Sequence, residues 1–274
     1  MPRKAQIANR AGWGAYLKRN WELYLFVVPA LIYLLLYCYY PMYGVQIAFK
    51  NFRVTKGIAG SEWVGLEHFR KFFSNPSCRA LIKNTLVISL YSLVVGFPLP
   101  IIFALTLNEV APGRYKKLVQ TVSYAPHFIS TVVMVSMLTM FLNADNGIFN
   151  KIVETLGGPR VDYMSKANLF PTVYVLSGVW QSLGWSSVIY LSALSGIDTG
   201  LHEAAMIDGA SRLQRILHIN LPGILPTGII MLILDVGQVM NMGFEKVFLM
   251  QNAQNTETSQ VISTFVYEAG LINS

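Results

Sequence analysis

The chain has 274 residues, of which 53% are hydrophobic and only 13% are charged, and its mean hydropathy is +0.45. An average soluble domain carries about 25% charged residues, so this composition excludes a soluble globular enzyme, a disordered chain and a disulfide-stapled secreted domain. The net charge of +7 fits a membrane protein with basic loops, and we expect no nucleic-acid partner. Cys38 and Cys78 give neither a disulfide framework nor a metal-ligand spacing.

The first segment, residues 1–22, is predicted to be a cytoplasmic N-terminal arm, and residues 23–274 a transmembrane domain. The arm is rich in lysine and arginine and is followed directly by a long apolar run. That run is too long for the hydrophobic region of a signal peptide, and it lacks a cleavage site of small residues. We therefore expect an uncleaved first membrane helix.

Five runs without charged residues are long enough to cross a membrane, because a spanning helix needs roughly 20 apolar residues. Helices are predicted throughout, since lone strands cannot satisfy their backbone groups in lipid. The fifth run is expected to continue past Asp235 to about Met242. The five runs are Leu23–Phe49, Asn84–Asn108, Leu118–Ala144, Ala167–Ile197 and Ile216–Leu234.

The orientation of these helices is predicted with the N-terminus inside the cell. Basic residues are almost equally divided between the two sides, because the loop Lys50–Lys83 carries seven of them. The rule that cytoplasmic loops are basic works best for short loops and usually follows the first helix. The arm and the short loop with Arg114, Lys116 and Lys117 obey it.

The loop at about 198–222 is predicted to be a short helix, a glycine turn and a second helix. Asp198 or Thr199 can cap the first helix, and Gly209 can end it without a Cβ penalty. Ser211, followed three residues later by a glutamine, is typical of a capping box. Such a pair of helices can dock into a groove of another protein or simply lie on the membrane surface. Spacing alone favours the second interpretation.

The residues of this loop resemble the EAA loop of bacterial ABC-importer permeases. Other segments are similar to carbohydrate-uptake permeases of the maltose-permease type, and two are most like the oligosaccharide branch named after a lipoprotein-linked permease. The loop residues that carry the resemblance are Glu203-Ala204-Ala205, Asp208-Gly209-Ala210, Ile219, Leu221-Pro222 and Pro226. The other segments are Tyr40–Met42, Val64–Phe69, Asn84–Leu86, Tyr124–Ser130 and Val261–Tyr267.

The resemblance implies an all-α, polytopic helix bundle with the type I ABC-importer (MetI-like) permease fold. Relatives of this branch have six spans, and Val261–Tyr267 resembles their external loop before the sixth. We therefore expect five spans within the given sequence and a sixth that is missing from it. The implied location is the bacterial cytoplasmic (inner) membrane, which the chain crosses several times.

The resemblance also implies how such a chain works. The EAA helix is a coupling helix that sits in a groove of a separate ATPase subunit, which binds ATP and Mg, so this chain is expected to be no enzyme and to hold no cofactor or metal. The sequence contains no G-x-x-x-x-G-K-[ST] motif, in keeping with this expectation. The implied coupling residues are Glu203, Ala204, Ala205, Asp208, Gly209, Ala210, Leu221 and Pro222.

The roles and partners follow the same resemblance. Glu203 would pair with a basic residue of the ATPase, Ala204 and Ala205 would allow close approach, and Gly209 would form the turn. The partners implied are a second, different permease subunit, two copies of the ATPase and an extracellular or periplasmic solute-binding protein that delivers a sugar or oligosaccharide. Membrane lipids surround the assembly.

A polar stripe on the fifth helix is the best candidate for the substrate path. Asp235, Gln238 and Asn241 follow each other at helical spacing, and Asp235 is the only acidic residue within a predicted span. Ionisable residues inside membranes are rare and usually functional. Taken singly, each polar residue is better explained by hydrogen bonds between helices, but the three together favour a pore.

The fourth helix offers aromatic candidates for the same path, since aromatic rings stack on sugar faces. They are Trp180, Gln181, Trp185 and Tyr190. Packing between helices or anchoring at the membrane interface explains each of them slightly better. His127 is expected to be a packed, hydrogen-bonded residue rather than a proton relay.

Three alternatives remain at this stage. An ion-coupled secondary transporter would often show inverted repeats, which the sequence lacks, and a membrane-embedded enzyme would need catalytic residues. Within the permease family, amino-acid or metal-ion uptake competes with sugar uptake. The seven basic residues of the loop Lys50–Lys83 give a weak indication of acidic oligosaccharides.

Overall fold

The structure is a computed structural model that describes residues 18–240 and 242–272. Nearly all the regular elements in the described part of the chain are helices. The one sheet there is a pair of two-residue strands. The predicted all-α fold is therefore confirmed. The chain divides into two compact units, Met1–Asn75 and Pro76–Ser274.

The first unit begins with a long helix over Trp21–Phe49 that changes its winding along the way. The change to π-helical winding comes just before Pro41, whose ring removes a backbone donor and crowds the preceding turn. The successive segments are α1 (Trp21–Tyr33), a π-helical segment (Leu34–Tyr39), α2 (Tyr40–Met42) and a 3-10 segment (Tyr43–Phe49).

An antiparallel hairpin follows this helix. Lys50 pairs with Trp63 in register, and the Trp63 ring stacks on Phe49 with 5.5 Å between centroids. The ring of Phe69 lies 5.4 Å from Phe49, so aromatic packing joins the hairpin to the helix that follows it. The elements are β1 (Lys50–Asn51), α3 (Gly57–Gly60), β2 (Glu62–Trp63) and α4 (Glu67–Ser74).

The second unit is built around one long helix, α10 (Phe170–Ser195). The helices before it are α5 (Pro76–Gly96), α6 (Pro98–Glu109), α7 (Arg114–Tyr124), a 3-10 turn (Ala125–Phe128), α8 (Thr131–Phe141), α9 (Ile148–Thr155) and a 3-10 turn (Ala167–Leu169). After it come α11 (Thr199–Ile207), α12 (Arg212–Arg215), a π-helical segment (Ile216–Asn220) and α13 (Leu221–Gly237). The last elements are α14 (Phe244–Met250), α15 (Thr256–Ser259), α16 (Ile262–Tyr267) and a π-helical segment (Glu268–Ile272).

Helix α10 contacts α5, α6, α7 and α13. Gly184 permits its closest approach, because a Cβ atom there would lie 2.2 Å from the carbonyl oxygen of Ser123 at the end of α7. Any larger residue would push the two backbones apart.

Two apolar clusters hold the second unit together. One lies between α5, α8, α10 and α14, and the other between α6, α10 and α13. The first contains Ile88, Met134, Val135, Phe170, Val175, Val247, Met250 and Val261. The second contains Ala104, Leu105, Tyr190, Leu194 and Ile224.

By length and composition, three helical stretches of the described chain can cross a membrane, namely Trp21–Phe49, Pro76–Glu109 and Arg212–Gly237. A fourth is possible if two bent helices, Arg114–Phe128 and Thr131–Phe141, form one span. Helix α10 is 26 residues long, but its several serines make it less apolar than these stretches. The number of five spans therefore stays a prediction.

The third apolar run differs from a straight spanning helix, because it bends by 104°. Pro126 lies in the 3-10 turn before the bend, and the Ser130 side chain accepts a hydrogen bond from the backbone N–H of Val133. Proline ends a helix and a serine N-cap begins a new one. The run is therefore broken at residues 129–130.

Candidate functional site

The loop between α10 and α13 has the predicted local structure. The Asp198 carboxylate accepts a hydrogen bond from the Gly200 N–H at 2.9 Å and caps α11. Gly209 has φ +80°, and its N–H donates to Met206 O while the next N–H donates to Ala205 O. This pair of bonds is the Schellman motif, which favours glycine because L-residues are strained at positive φ.

The second helix of the loop begins with a complete capping box. The Ser211 N–H donates to Gln214 Oε1 at 2.7 Å, and the Gln214 N–H donates to Ser211 Oγ at 3.4 Å. The two short helices therefore end and begin at positions fixed by their own side chains, and they form a preorganised unit.

The outer face of this unit exposes apolar side chains. Ile207 is 87% exposed and Leu213 is 64% exposed, and Leu201 and Met206 are also exposed. Glu203 is exposed beside them. Asp208, next to Ile207, is exposed as well. An exposed apolar patch with acidic groups beside it is typical of a surface that binds another protein.

The inner end of the loop lies against three helices of the second unit, α6, α10 and α13. Asn220 is fully buried, and its Nδ2 lies 3.4 Å from Glu109 Oε1 at the end of α6. Leu221 and Pro222 form the first turn of α13. At Gly223 a Cβ atom would lie 2.6 Å from Ile197 Cδ1 at the end of α10, so α10 and α13 meet closely here. The end of the loop is therefore in contact with α6 and continues into α13, which packs closely on α10.

A polar cavity of about 320 Å³ lies between α5, α10 and α13. Ser89 Oγ is buried beside it without a hydrogen-bond partner among the described residues. The polar lining residues are Ser89, Ser92, Tyr174, Ser182, Ser186, Asp235 and Gln238.

This chemistry suits a sugar. Hydroxyl, amide and carboxylate groups donate and accept hydrogen bonds with sugar hydroxyls, and ligand sites place a few polar groups within apolar walls. Leu93, Phe97, Val239 and Met242 supply those walls.

Residues 96–271 match the family model described as "Binding-protein-dependent transport system inner membrane component". The chain belongs to this family. It is a membrane permease component of an ABC importer, with the MetI-like permease fold.

Two curated relatives come from Bacillus subtilis (strain 168). The polygalacturonan/rhamnogalacturonan transport system permease protein YteP is 44% identical over 249 residues, which are 91% of this chain and 78% of YteP. Protein LplB is 42% identical over 259 residues, which are 94% of this chain and 81% of LplB.

Two solved structures have the same fold. One is a bacterial ABC transporter involved in the import of the acidic polysaccharide alginate, with 38% identity, a TM-score of 0.86 and coverage of 94% of this chain and 87% of the other. The second is a bacterial alginate ABC transporter in complex with an alginate pentasaccharide-bound periplasmic protein, with 37% identity, a TM-score of 0.87 and coverage of 97% and 88%.

The structure of the permease brings two members of the predicted polar stripe together. Asp235 and Gln238 both line the polar cavity. The third member, Asn241, lies outside the described residues.

None of the four candidates of α10 is among the residues that line this cavity. Gln181 Nε2 donates to Ile129 O at 2.8 Å, at the break of the bent run. The Trp185 ring stacks on His127 with 4.6 Å between centroids, Trp180 borders two apolar cavities, and Tyr190 is buried in the second apolar cluster.

Serines on α5 and α10 also line the cavity, and the sequence pattern did not single them out. Ser182 and Ser186 lie one turn apart on α10, and Ser89 and Ser92 are spaced similarly on α5. Pairs of hydroxyls at helical spacing in an apolar segment were the available signal. Small polar residues are common between membrane helices, however, so this signal alone could not separate the cavity from ordinary packing.

Proposed function

We propose that this permease forms half of the translocation path of an ABC importer for acidic oligosaccharides, with α5, α10 and α13 providing its share of the substrate cavity. The chain is a sugar importer permease, and the observation that carries the proposal is the cavity lined by hydroxyls, an amide and the Asp235 carboxylate. Its size suits one or two sugar rings rather than a whole polymer.

The acidic character of the substrate is supported by the relatives. YteP is described as a polygalacturonan and rhamnogalacturonan permease, and the two structural neighbours import or bind alginate. These substrates contain carboxylated sugars. The basic loop Lys50–Lys83 would attract them electrostatically.

Coupling to ATP hydrolysis is proposed to pass through α11 and α12. In this scheme Glu203 pairs with a basic residue of the ATPase, Ala204 and Ala205 allow close approach, and the apolar patch around Ile207 fills a groove. Two ATPase copies bind ATP and Mg, a second permease subunit completes the path, and a binding protein delivers the sugar. ATP then shifts the population from inward- to outward-facing states.

The topology that goes with this scheme puts the arm 1–22 and the loop 198–222 on the cytoplasmic side. The transmembrane domain is proposed to cover residues 23–274 in the bacterial inner membrane. The loop Lys50–Lys83 then lies outside, where it faces the binding protein.

Reconstitution tests the proposal. The permease, the second permease, the ATPase and the binding protein encoded with it are placed in liposomes with ATP inside, and uptake of labelled trigalacturonate is measured. We expect uptake that needs both ATP and the binding protein. Uptake driven by a proton or sodium gradient without ATP would indicate a secondary transporter and contradict the proposal.

A further inference from the structure

Lys246 places a positive charge behind the wall of the polar cavity. It lies on α14, beyond the end of the last apolar span at Gly237. Its Nζ donates a hydrogen bond to Tyr174 O at 2.7 Å and lies 4.4 Å from the centroid of the Tyr174 ring. A Cβ atom at Gly178 would lie 3.1 Å from Nζ, so the glycine leaves room for the ammonium group beside α10.

This ammonium group has no carboxylate partner among the described residues, whose ion pairs are Lys71–Glu67 and Arg160–Glu154. Burial lowers the pKa of Lys246 to about 7, because desolvation disfavours the charged form. The hydrogen bond to Tyr174 O and the contact with the Tyr174 ring compensate only part of the desolvation cost of the ammonium group. An apolar residue would fill the same space at lower cost, so packing alone does not account for a lysine.

The cavity lies directly beside this charge. Tyr174 lines it, and Gly243, one turn before Lys246, lines it as well. The remaining polar lining groups are hydroxyls, one amide and the Asp235 carboxylate, none of which can offset the charge of a sugar carboxylate. Lys246 does not itself line the cavity, but it contacts the lining residue Tyr174 and so supplies a cation behind this wall.

We propose that Lys246, held against Tyr174, is a specificity-determining residue that recognises the carboxylate of a uronic acid in the cavity. This inference rests on the proposed function. A positive charge close behind the cavity wall attracts a carboxylate but not a neutral hydroxyl, so the residue favours acidic over neutral sugars.

The test compares wild type, Lys246→Met and Lys246→Arg in the complete reconstituted importer. The probes are trigalacturonate and its carboxyl-reduced, neutral counterpart. We expect Lys246→Met to raise KM for trigalacturonate about tenfold and to leave the neutral probe within about twofold, while Lys246→Arg keeps the preference. The control variant is Lys151→Met, on an exposed lysine of α9, which should change neither value. The binding protein is identical in every arm, so its own preference cancels in the ratio of variant to wild type.

A pH series provides a readout that does not depend on the stability of Lys246→Met. The titratable groups on Lys246's own helix and on the elements packed against it are Glu245 on α14, Tyr174 and Tyr190 on α10 and Tyr267 on α16, since α8 has none, and Asp235 lies in the cavity. Above pH 7 the ammonium loses its proton, so KM of the wild type for trigalacturonate should rise. In Lys246→Arg it should stay flat, because guanidinium remains charged.

The outcomes separate the two proposals. If the wild type takes up neither probe with ATP, the proposed function is wrong. If the wild type takes up trigalacturonate but Lys246→Met slows uptake of both probes equally, Lys246 has a structural role and only this inference is overturned. The same conclusion follows if the wild type and Lys246→Arg have the same pH profile.

Discussion

Polar side chains within the apolar helices serve two different purposes. The Gln181 amide satisfies the backbone carbonyl of Ile129, where the bent run leaves its helix, so its role is to join two segments. Asp235 and Ser186 face a cavity instead. A cavity lined by several polar groups suits water or a polar ligand better than an apolar side chain.

This difference leads to a prediction for the double variant Asp235→Ala plus Gln238→Ala. Removing both groups from the cavity wall should reduce oligosaccharide uptake at least about tenfold, the loss of one to two hydrogen bonds to substrate. The protein should still insert and bind the ATPase. The measurement is uptake in liposomes at matched protein levels.

The matched control is Gln181→Leu, whose amide binds Ile129 O rather than the cavity. It should lower thermal stability by about 1 kcal/mol and leave KM for the sugar unchanged. Normal uptake by Asp235→Ala plus Gln238→Ala would show that the cavity is not the substrate path.

At the scale of elements, the loop 198–222 was predictable and the bent run was not. Caps and glycine turns are local signals, since each depends on residues within four positions, and Asp198, Gly209 and Ser211 all behave as their spacing indicates. The bend near Pro126 is stabilised by Gln181 from a distant helix. A proline within an apolar run is tolerated in many membrane helices, so the sequence alone could not decide between a kink and a break.

The coupling loop gives a prediction at this scale. Gly209→Asp forces a side chain onto a residue at φ +80°, at a cost of about 1–2 kcal/mol, and so disturbs the turn that orients α11 against α12. Glu203→Lys reverses the charge on the exposed face. Each should abolish ATP-driven uptake while the permease still inserts, measured as uptake and as co-purification of the ATPase.

The control for backbone strain is Gly157→Asp, because Gly157 has φ +83° after α9 and lies outside the coupling loop. It carries the same conformational penalty and should retain coupling. If either Gly209→Asp or Glu203→Lys transports normally, or if Gly157→Asp fails as severely as Gly209→Asp, the assignment of the coupling surface is incorrect.

At the scale of the whole molecule, the fold class and two polar residues that share a cavity, Asp235 and Gln238, could be predicted, but the complete cavity could not. Long apolar runs determine a helical membrane protein through general solvation physics. The cavity depends on how α5, α10 and α13 meet, and these helices are far apart in sequence. Close contacts between helices, such as that of Gly184 with Ser123 O, set this arrangement. The residue pattern within a single helix does not predict such contacts.

The basic residues do not decide how the chain is oriented in the membrane, because almost equal numbers of them are predicted on the two sides. The loop Lys50–Lys83 is the exception to the charge rule, and an external role in attracting acidic sugars would explain why it is basic. We predict that Lys56→Cys, in a background with Cys38→Ser and Cys78→Ser, reacts with a membrane-impermeant maleimide in intact cells. Lys4→Cys and Lys117→Cys should react only after permeabilisation. The reverse pattern would place the N-terminus outside and the coupling loop on the wrong side for a cytoplasmic ATPase.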